Sequence, residues 1–504
     1  LGVIAGAPAA ADIFEGVDLT WNRVPGGAEL GELLRAVHQR YDPSDPAASL
    51  ADLLSARAAL SRLMNTAAGR THAVLLRHKA RELDEVVRGC AGLWLEAVAA
   101  QHTLSPGDSL LVDVTAINRS SEPIRLERIR SETPGLAIEV DTLLAGNVPL
   151  TLPLRSVVPA TLDWRASQPY WLLEPVSGGL HRVADPSLIG TPENEPALRV
   201  TLTVSVLRQS IDYTVPVLYR WVDRVRGELY RPPAIAPEVT LALDEPVYLF
   251  ADASPRPVRL RLESRQAVHG SARLLLPAGW SSDPIAHDVS LEPGQVREVV
   301  FRVTPGVEGS PIRAEFSDAQ RTWSRGVTVI DHPHIPIQTV FPDASAHVLR
   351  LDLARAGDTI GYIMGPGDDV PAALAQAGYR VTLLEDDELA SGDLSAYDAL
   401  VVGVRAYNSR DALKRSARRL LDYVENGGTL VVQYNTADPT LHEAFAPYPL
   451  KLGRDRVAEE NAAVELIDRE SPLLNTPNRI TRSDFDGWVQ ERGLYFASEW
   501  GPEY

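Results

Sequence analysis

At 504 residues the chain is too long for a single hydrophobic core, and three or four domains is the natural expectation. Its composition is that of a globular protein, 45% hydrophobic and 23% charged, and no apolar run approaches the roughly 18 residues of a membrane span. The formal net charge of −18 argues against a nucleic-acid or anionic-membrane partner, because phosphates need a basic surface.

The opening LGVIAGAPAAAD begins with Leu1 and reads as the interior of a longer protein, so the chain is expected to be a fragment. Residues 26–100 read as helical, and a helical region is expected over 1–95. GGAELGELLRAVHQRY places Leu30, Leu33, Leu34, Val37 and Tyr41 on one face. Ser49 and Asp52 have capping-box spacing before a second helix. The series Leu76, Ala80, Leu83, Val87, Cys90, Trp94 steps by four and three along one helical seam. Cys90 is the single cysteine. It cannot form an internal disulfide, and on that seam it reads as a small buried hydrophobe.

After Trp94 the period changes to two. SLLVDVTAINRSSEPIRLERI, LAIEVD, VPLTLPLRSVV and ALRVTLTVSVLRQSIDYTVPVLYRWV are strand-like runs separated by turn residues, and they predict a β-sandwich over 96–231. RPPAIAPE reads as a Pro-rich linker. VTLALDEPVYLF, PVRLRLESR, SARLLLPAGW and HDVSLEPGQVREVVFRVTP predict a second sandwich over 237–331. DHPHIPIQTVFP reads as a second connector. The pattern then becomes strand–helix–strand: TIGYIM (359–364), a helix over 370–377, RVTLL (380–384), YDALVVGV (397–404), an amphipathic helix, and TLVVQY (429–434). Apolar runs without alternation, separated by helices, predict a parallel sheet over 345–504. The fold class expected is multidomain α+β: helical, two β-sandwiches, then α/β.

Open parallel sheets bind ligands beyond the carboxyl ends of their strands. Those ends offer Arg405, Tyr407, Asn408, Gln433 and Asn435 as a polar rim for hydrogen-bonding a ligand. Gly365-Pro366-Gly367-Asp368-Asp369 has the glycines of a phosphate loop. Its aspartates, however, stand where a phosphate would sit, so one of them reads more simply as a helix cap. A hydrolase would need Ser or Cys at a strand-to-helix turn with a base in reach, and the strand ending at Gln433-Tyr434-Asn435 offers neither. His442 lies near without a nucleophile to activate. His332 and His334 form a close pair that points opposite ways if the linker is extended, which suits a structural role better than a metal. EDDE (385–388) reads as a solvated loop and lacks the ligand spacing of an EF-hand. No catalytic or metal-ligating residue is assigned.

IGYIMGPGDDVPAALAQAGYRVTLLEDDEL, VVGVRAYNSRDAL, YVENGGTLVVQYNT and FDGWVQERGLYFASEW together resemble the C-terminal, non-catalytic region of large bacterial PIG-L/LmbE-type deacetylases. EGVDLTWNRVPGG and HIPIQTVFP are similar to the middle of those proteins. SLEPGQVREVVFRVTP is similar to the sandwich that accompanies some secreted glycosidases, and the last domain resembles a class I glutamine-amidotransferase sheet without its cysteine. The resemblance implies a covalently linked upstream domain that removes an N-acetyl group from an amino sugar with a divalent metal, usually Zn²⁺. The signature of that domain, a His-Pro/Ala-Asp-Asp loop and a distant His pair, is absent. The nearest strings, His332-Pro333-His334 and Ala286-His287-Asp288, do not match it. Relatives with signal peptides imply export to the periplasm or outside; the sequence itself suits cytoplasm or periplasm alike. The alternative is a non-catalytic carbohydrate-binding or surface-interaction protein that presents Trp164, Tyr170, Trp171, Trp221 or Trp280 to a glycan, against which stands their ordinary use in packing.

Overall fold

The computed structural model describes residues 17–504 except 132, 134, 135, 308, 442–444, 460, 461 and 488–492. The opening LGVIAGAPAAAD, His442 and the run Trp488–Arg492 of the FDGWVQERG motif lie outside the described residues.

The protein is multidomain and rich in β-sheet, with helices at the start and in the C-terminal part. The first helices are Ala28–Arg40, Leu50–Met64 and Ala73–Cys90. The middle one is the most apolar and buries Leu50, Leu53, Leu54, Leu60 and Leu63. Ser49 makes no cap: it is buried at the end of the 3₁₀ turn Pro46–Ser49, which runs straight into the helix and leaves its hydroxyl no free terminus. The third helix stops at Cys90, four residues before the end of the predicted seam. Trp94 lies in the strand Leu93–Ala99 and is 41% exposed. The positive φ of 54° at Gly92 breaks the helix there. Cys90 is partly buried against the core, and burial pushes its thiol pKa up.

The first β unit is an eight-stranded sheet among the described residues. Its order is 138–143, 124–130, 199–206, 209–223, 93–99, 109–118, 150–157, with 227–231 beside the far end of 209–223. The long strand Gln209–Asp223 joins the two halves. Its first part pairs with Arg199–Val206, and its later part runs parallel to Leu93–Ala99 with Ala97 opposite Val217. Helix leucines and the inward side chains of both halves, among them Val112, Leu202 and Tyr213, form one continuous core. The Tyr213 hydroxyl donates to the Asp84 carbonyl of the third helix, 3.2 Å away, so helices and sheet are tied by a hydrogen bond as well as by packing.

Residues 158–198 leave this sheet as a long excursion built on 3₁₀ turns. Its anchor is Gln168, 4% exposed. The Gln168 Oε1 accepts from the Phe341 amide at 2.7 Å, Nε2 donates to the Leu172 carbonyl at 2.5 Å, and its own carbonyl accepts from Asn194 at 2.7 Å. The predicted linker RPPAIAPE is also pinned. Ala234–Ile235 pairs with Thr103–Leu104 and is buried, because Ile235 and its alanine neighbours are small and apolar enough to enter the junction.

Among the described residues the second β unit is a sandwich of a four-stranded sheet (239–243, 256–264, 296–304, 281–283) and a six-stranded one. The latter includes Ser345–Arg350, which pairs with Val247–Phe250 and Ser310–Ser317, beyond the connector that sequence alone marks. His332 and His334 do not point apart. They occupy the turn between the strands Thr328–Ile330 and Gln338–Val340, and their rings stack at 5.8 Å because the chain reverses there.

The C-terminal unit contains four parallel strands in the order 380–383, 359–363, 399–402, 429–432. Helix Asp411–Glu425 buries Leu413, Ala417, Leu420 and Tyr423. EDDE is not a loop. It opens the helix Asp386–Ser391, with Glu385 and Glu388 forming a reciprocal capping box at the end where backbone N–H groups favour carboxylates.

Gln168→Ala should leave the buried Phe341 amide without a partner. A loss of about 1–3 kcal/mol in unfolding free energy, read from denaturant melts, is expected.

Candidate functional site

Strand order places the topological switch point between Thr359–Ile363 and Ala399–Val402, whose following loops leave in different directions. Beyond these carboxyl ends the structure gathers Tyr362, Asp368, Gly403, Arg405 and Gln433. Tyr362 is fully buried within its strand. Its hydroxyl donates to Asp368 Oδ1 at 2.6 Å and accepts from Gln433 Nε2 at 2.7 Å. Asp368 Oδ1 also accepts from the Val370 amide at 3.0 Å, so Asp368 supplies the side-chain bond at the start of the helix Val370–Gln376, whose N-cap residue Asp369 makes none. The other oxygen, Asp368 Oδ2, is buried with no partner among the described residues. Burial, then the hydrogen bond to Asp368, pushes the Tyr362 pKa up, so the phenol keeps its proton at neutral pH.

Backbone approaches closely here. A Cβ on Gly365 would sit 2.0 Å from the Val404 carbonyl oxygen, and one on Gly403 would sit 3.0 Å from both Asp368 Oδ2 and the Tyr362 hydroxyl. No side chain fits at Gly365 without moving backbone.

The sharp strand-to-helix turn lies after the third strand, not the fourth. Arg405 adopts φ 55°, ψ 21° and begins the short helix Ala406–Ser409. Thr429–Val432 instead runs into the loop that starts at Gln433, so Gln433-Tyr434-Asn435 is not an elbow. A nucleophile elbow presents its reactive side chain at such a left-handed turn. The side chain present is a guanidinium, which carries no nucleophilic lone pair at neutral pH.

The five proposed rim residues divide by burial. Arg405 is exposed and Gln433 half-buried, whereas Tyr407, Asn408 and Asn435 are 0%, 7% and 5% exposed. Asn408 Nδ2 donates to the Thr436 carbonyl at 3.0 Å, and its Oδ1 accepts from the Thr436 amide at 2.9 Å. Asn435 Oδ1 accepts from the Tyr407 amide at 3.2 Å, and its Nδ2 donates to the Gln433 carbonyl at 2.9 Å. These two amides knit the third loop to the fourth and do not face solvent. The reason is the backbone: both loops bring polar groups into a buried junction, where each must be paired. The Tyr407 hydroxyl is buried without a partner among the described residues, and burial pushes its pKa up to about 12.

Two contributors escape a reading of strand ends. Arg410 donates to the carbonyls of Met364 and Leu384 at 3.3 and 2.9 Å and to Asp386 at 2.8 Å, clamping the ends of the first two strands. Asp438 accepts from the Thr436 and Thr440 hydroxyls and from the Thr440 amide. Those bonds, with Arg405 as a smaller influence, lower its pKa to about 2. Tyr362 carried a sequence signal: a hydroxyl in the middle of a strand buried on both faces has to find a partner.

No group of three or more His, Cys, Asp or Glu among the described residues is placed to hold a metal, so the residues described do not fit a zinc centre. The aromatics proposed as sugar platforms are engaged in packing. The guanidinium groups of Arg165 and Arg325 lie over the Trp164 ring, 4.6 and 4.2 Å from its centre. Trp280 is buried edge-on to Phe250 at 5.0 Å, and Tyr170 packs on Trp171 at 4.9 Å.

Two substitutions test this account. Tyr407→Phe removes a buried hydroxyl that has no partner among the described residues and should leave the melting temperature unchanged or higher; a clear fall would mean that the hydroxyl has a partner. The folded-state pKa of Asp438 lies below its ordinary value of 3.8, so its contribution to stability is complete above that value and is lost as pH falls towards about 2. Asp438→Asn should therefore flatten the acid limb of a melting-temperature profile across that window.

No protein-family profile matches the chain, and no curated protein matches it. Solved structures to which parts of it are similar include red sea bream transglutaminase, at 9% identity over 54% of this chain and 34% of that one, with a TM-score of 0.24. Salmonella alpha-2-macroglobulin reacted with methylamine follows at 12% identity, over 51% of this chain and 16% of that one, with a TM-score of 0.17. A Legionella pneumophila DUF4785 family protein is similar at 11% identity over 46% of this chain and 53% of that one, with a TM-score of 0.18. The chain thus spans 34% of the transglutaminase and 16% of the macroglobulin length.

Proposed function

We propose that this chain is the non-catalytic, accessory region of a PIG-L-type, metal-dependent N-acetyl amino-sugar deacetylase whose catalytic domain lies outside it. The observation that carries this reading is the turn at Arg405. An α/β unit with a parallel sheet, a switch point and a left-handed strand-to-helix turn has the parts of an amidotransferase-like or hydrolase-like site. Its elbow position nevertheless holds Arg405, and the neighbouring Tyr407, Asn408 and Asn435 are buried in loop-to-loop bonding. The order of motifs along the chain supports the family. The α/β unit is then a glutamine-amidotransferase-like domain kept for binding or support, with its chemistry elsewhere.

The remaining open polar groups, Arg405 and Gln433, form the part of the rim a ligand or an adjoining domain would contact. Zinc, when bound by the catalytic domain, supplies a metal-bound water as nucleophile. This chain's part is to extend and position that domain.

Isolating the native gene product with an antibody against this chain tests the proposal. The expected product is much larger than 504 residues, contains upstream peptides with a His-Pro-Asp-Asp-like loop, and releases acetate from N-acetyl amino sugars, while the 504-residue chain alone shows no turnover. A product of this chain's own size would overturn the assignment.

A further inference from the structure

The first and third helices, Ala28–Arg40 and Ala73–Cys90, both pack on the middle one, Leu50–Met64. Where the three meet they leave a groove of about 480 Å³. Leu60 of the middle helix lines it, with Leu34 of the first helix, Leu83 and Val86 of the third, and Leu19 and Trp21 from the segment ahead of the helices. A Cβ on Gly31 would come within 3.1 Å of the Trp21 Cβ, so the missing side chain there lets Trp21 lie against the first helix.

The groove continues onto open surface. Leu19 and Val86 are 60% and 49% exposed, and Val17, two residues before Leu19, is 56% exposed. Apolar surface gathered beside a lined groove marks an interaction site. The polar groups of the rim are engaged locally. Lys79 Nζ donates to Glu82 Oε2 at 2.7 Å, and His78 lies 2.9 Å from the other oxygen of the same carboxylate. The Thr20 hydroxyl donates to Asp18 at 2.7 Å and accepts from the Asn22 amide at 3.2 Å. What the groove leaves uncovered is apolar area, which suits an apolar face better than an anion or a sugar.

We propose that this groove seats an amphipathic helix of the upstream catalytic domain, its apolar stripe lying on Leu34, Leu60 and Val86. The docking rests on the accessory role inferred above, which places that domain ahead of this chain. Two features select this occupant. Leu19, Trp21 and Arg23, near the start of the described residues, line the groove, so a domain joined ahead of them is tethered at its edge and held at high effective concentration. A groove where two helices share a third is also the place that a further helix fills in a bundle, with anchors at every third and fourth residue.

The test compares Val86→Cys in the 504-residue chain and in the native full-length polypeptide, with thiol labelling followed by mass spectrometry of the tryptic peptide Glu82–Arg88, which excludes Cys90. The introduced thiol should react at least about tenfold more slowly in the longer protein, because a docked residue is reached only from the undocked fraction. Val86→Glu places a charge where the interface must be dry, and should speed proteolytic separation of the two parts at least about tenfold. Equal labelling in the two proteins overturns the docking and leaves the accessory role standing; a native product with no upstream domain overturns both. Labelling of the 504-residue chain that slows as its concentration rises would give the groove to a second copy, and slow labelling at every dilution would give it to the chain's own opening residues; either result overturns the docking. So does a Val86→Glu variant that melts as the wild type does and separates no faster.

Discussion

A backbone polar group that leaves water needs a hydrogen-bond partner, and this requirement governs how the parts of the protein are joined. At each junction a side-chain amide, which offers a donor and an acceptor together, closes what secondary structure leaves open. Gln266 donates to the Pro106 carbonyl at 2.6 Å between the two β units. Gln168 holds the excursion to the segment before Pro342. Gln376, at the end of a C-terminal helix, accepts from the Leu249 amide at 2.7 Å and donates to the Val247 carbonyl at 3.1 Å on the sandwich's strand Val247–Phe250. Asn478 does the same for both backbone groups of Ala354, each at 2.9 Å. Gln376 and Asn478 thus imitate one residue of a neighbouring strand, which lets units of different architecture meet without merging their sheets.

The same rule explains why the α/β rim is quieter than its sequence. Asn408 and Asn435 sit at strand ends, where polar residues in this architecture often serve ligands. They are instead engaged with the backbone of Thr436 and Tyr407, because the third and fourth loops cross in a buried place. Close approach of Gly365 to Val404 tightens the same crossing. What faces outward is the guanidinium at the elbow, with half-buried Gln433 and Asp368 and the buried Tyr362 hydrogen-bonded behind it.

Local signals carried far into this fold. Period-two runs located most strands of both β units, and the four apolar runs of the C-terminal unit became its four parallel strands, of which the central pair, 359–363 and 399–402, is buried while 380–383 and 429–432 at the edges stay partly exposed. Local signals failed where a second partner decided the outcome. Trp94 continues the helical seam in sequence, yet the strand opposite, with Ile117 as its register partner, claims it. EDDE has the composition of a solvated loop and became a helix start through reciprocal capping. The histidines of HPH stack because the connector turns back on itself, its two flanking strands Thr328–Ile330 and Gln338–Val340 pairing antiparallel.

By itself, the sequence determined the order of architectures and the positions of most elements. These depend on side-chain type and on periods of two and 3.6 residues, which are local properties. Tertiary structure alone decided which polar residues are available. Asn408 and Gln433 are both amides at a strand end, and only the crossing of two loops buries one and leaves the other half-open. It alone brought His102, Tyr219, Glu263 and Arg265 to one cleft, since the second sandwich has to dock on the first unit before residues so far apart in the chain meet. Burial and electrostatic coupling are properties of pairs distant in sequence, and no local pattern records them.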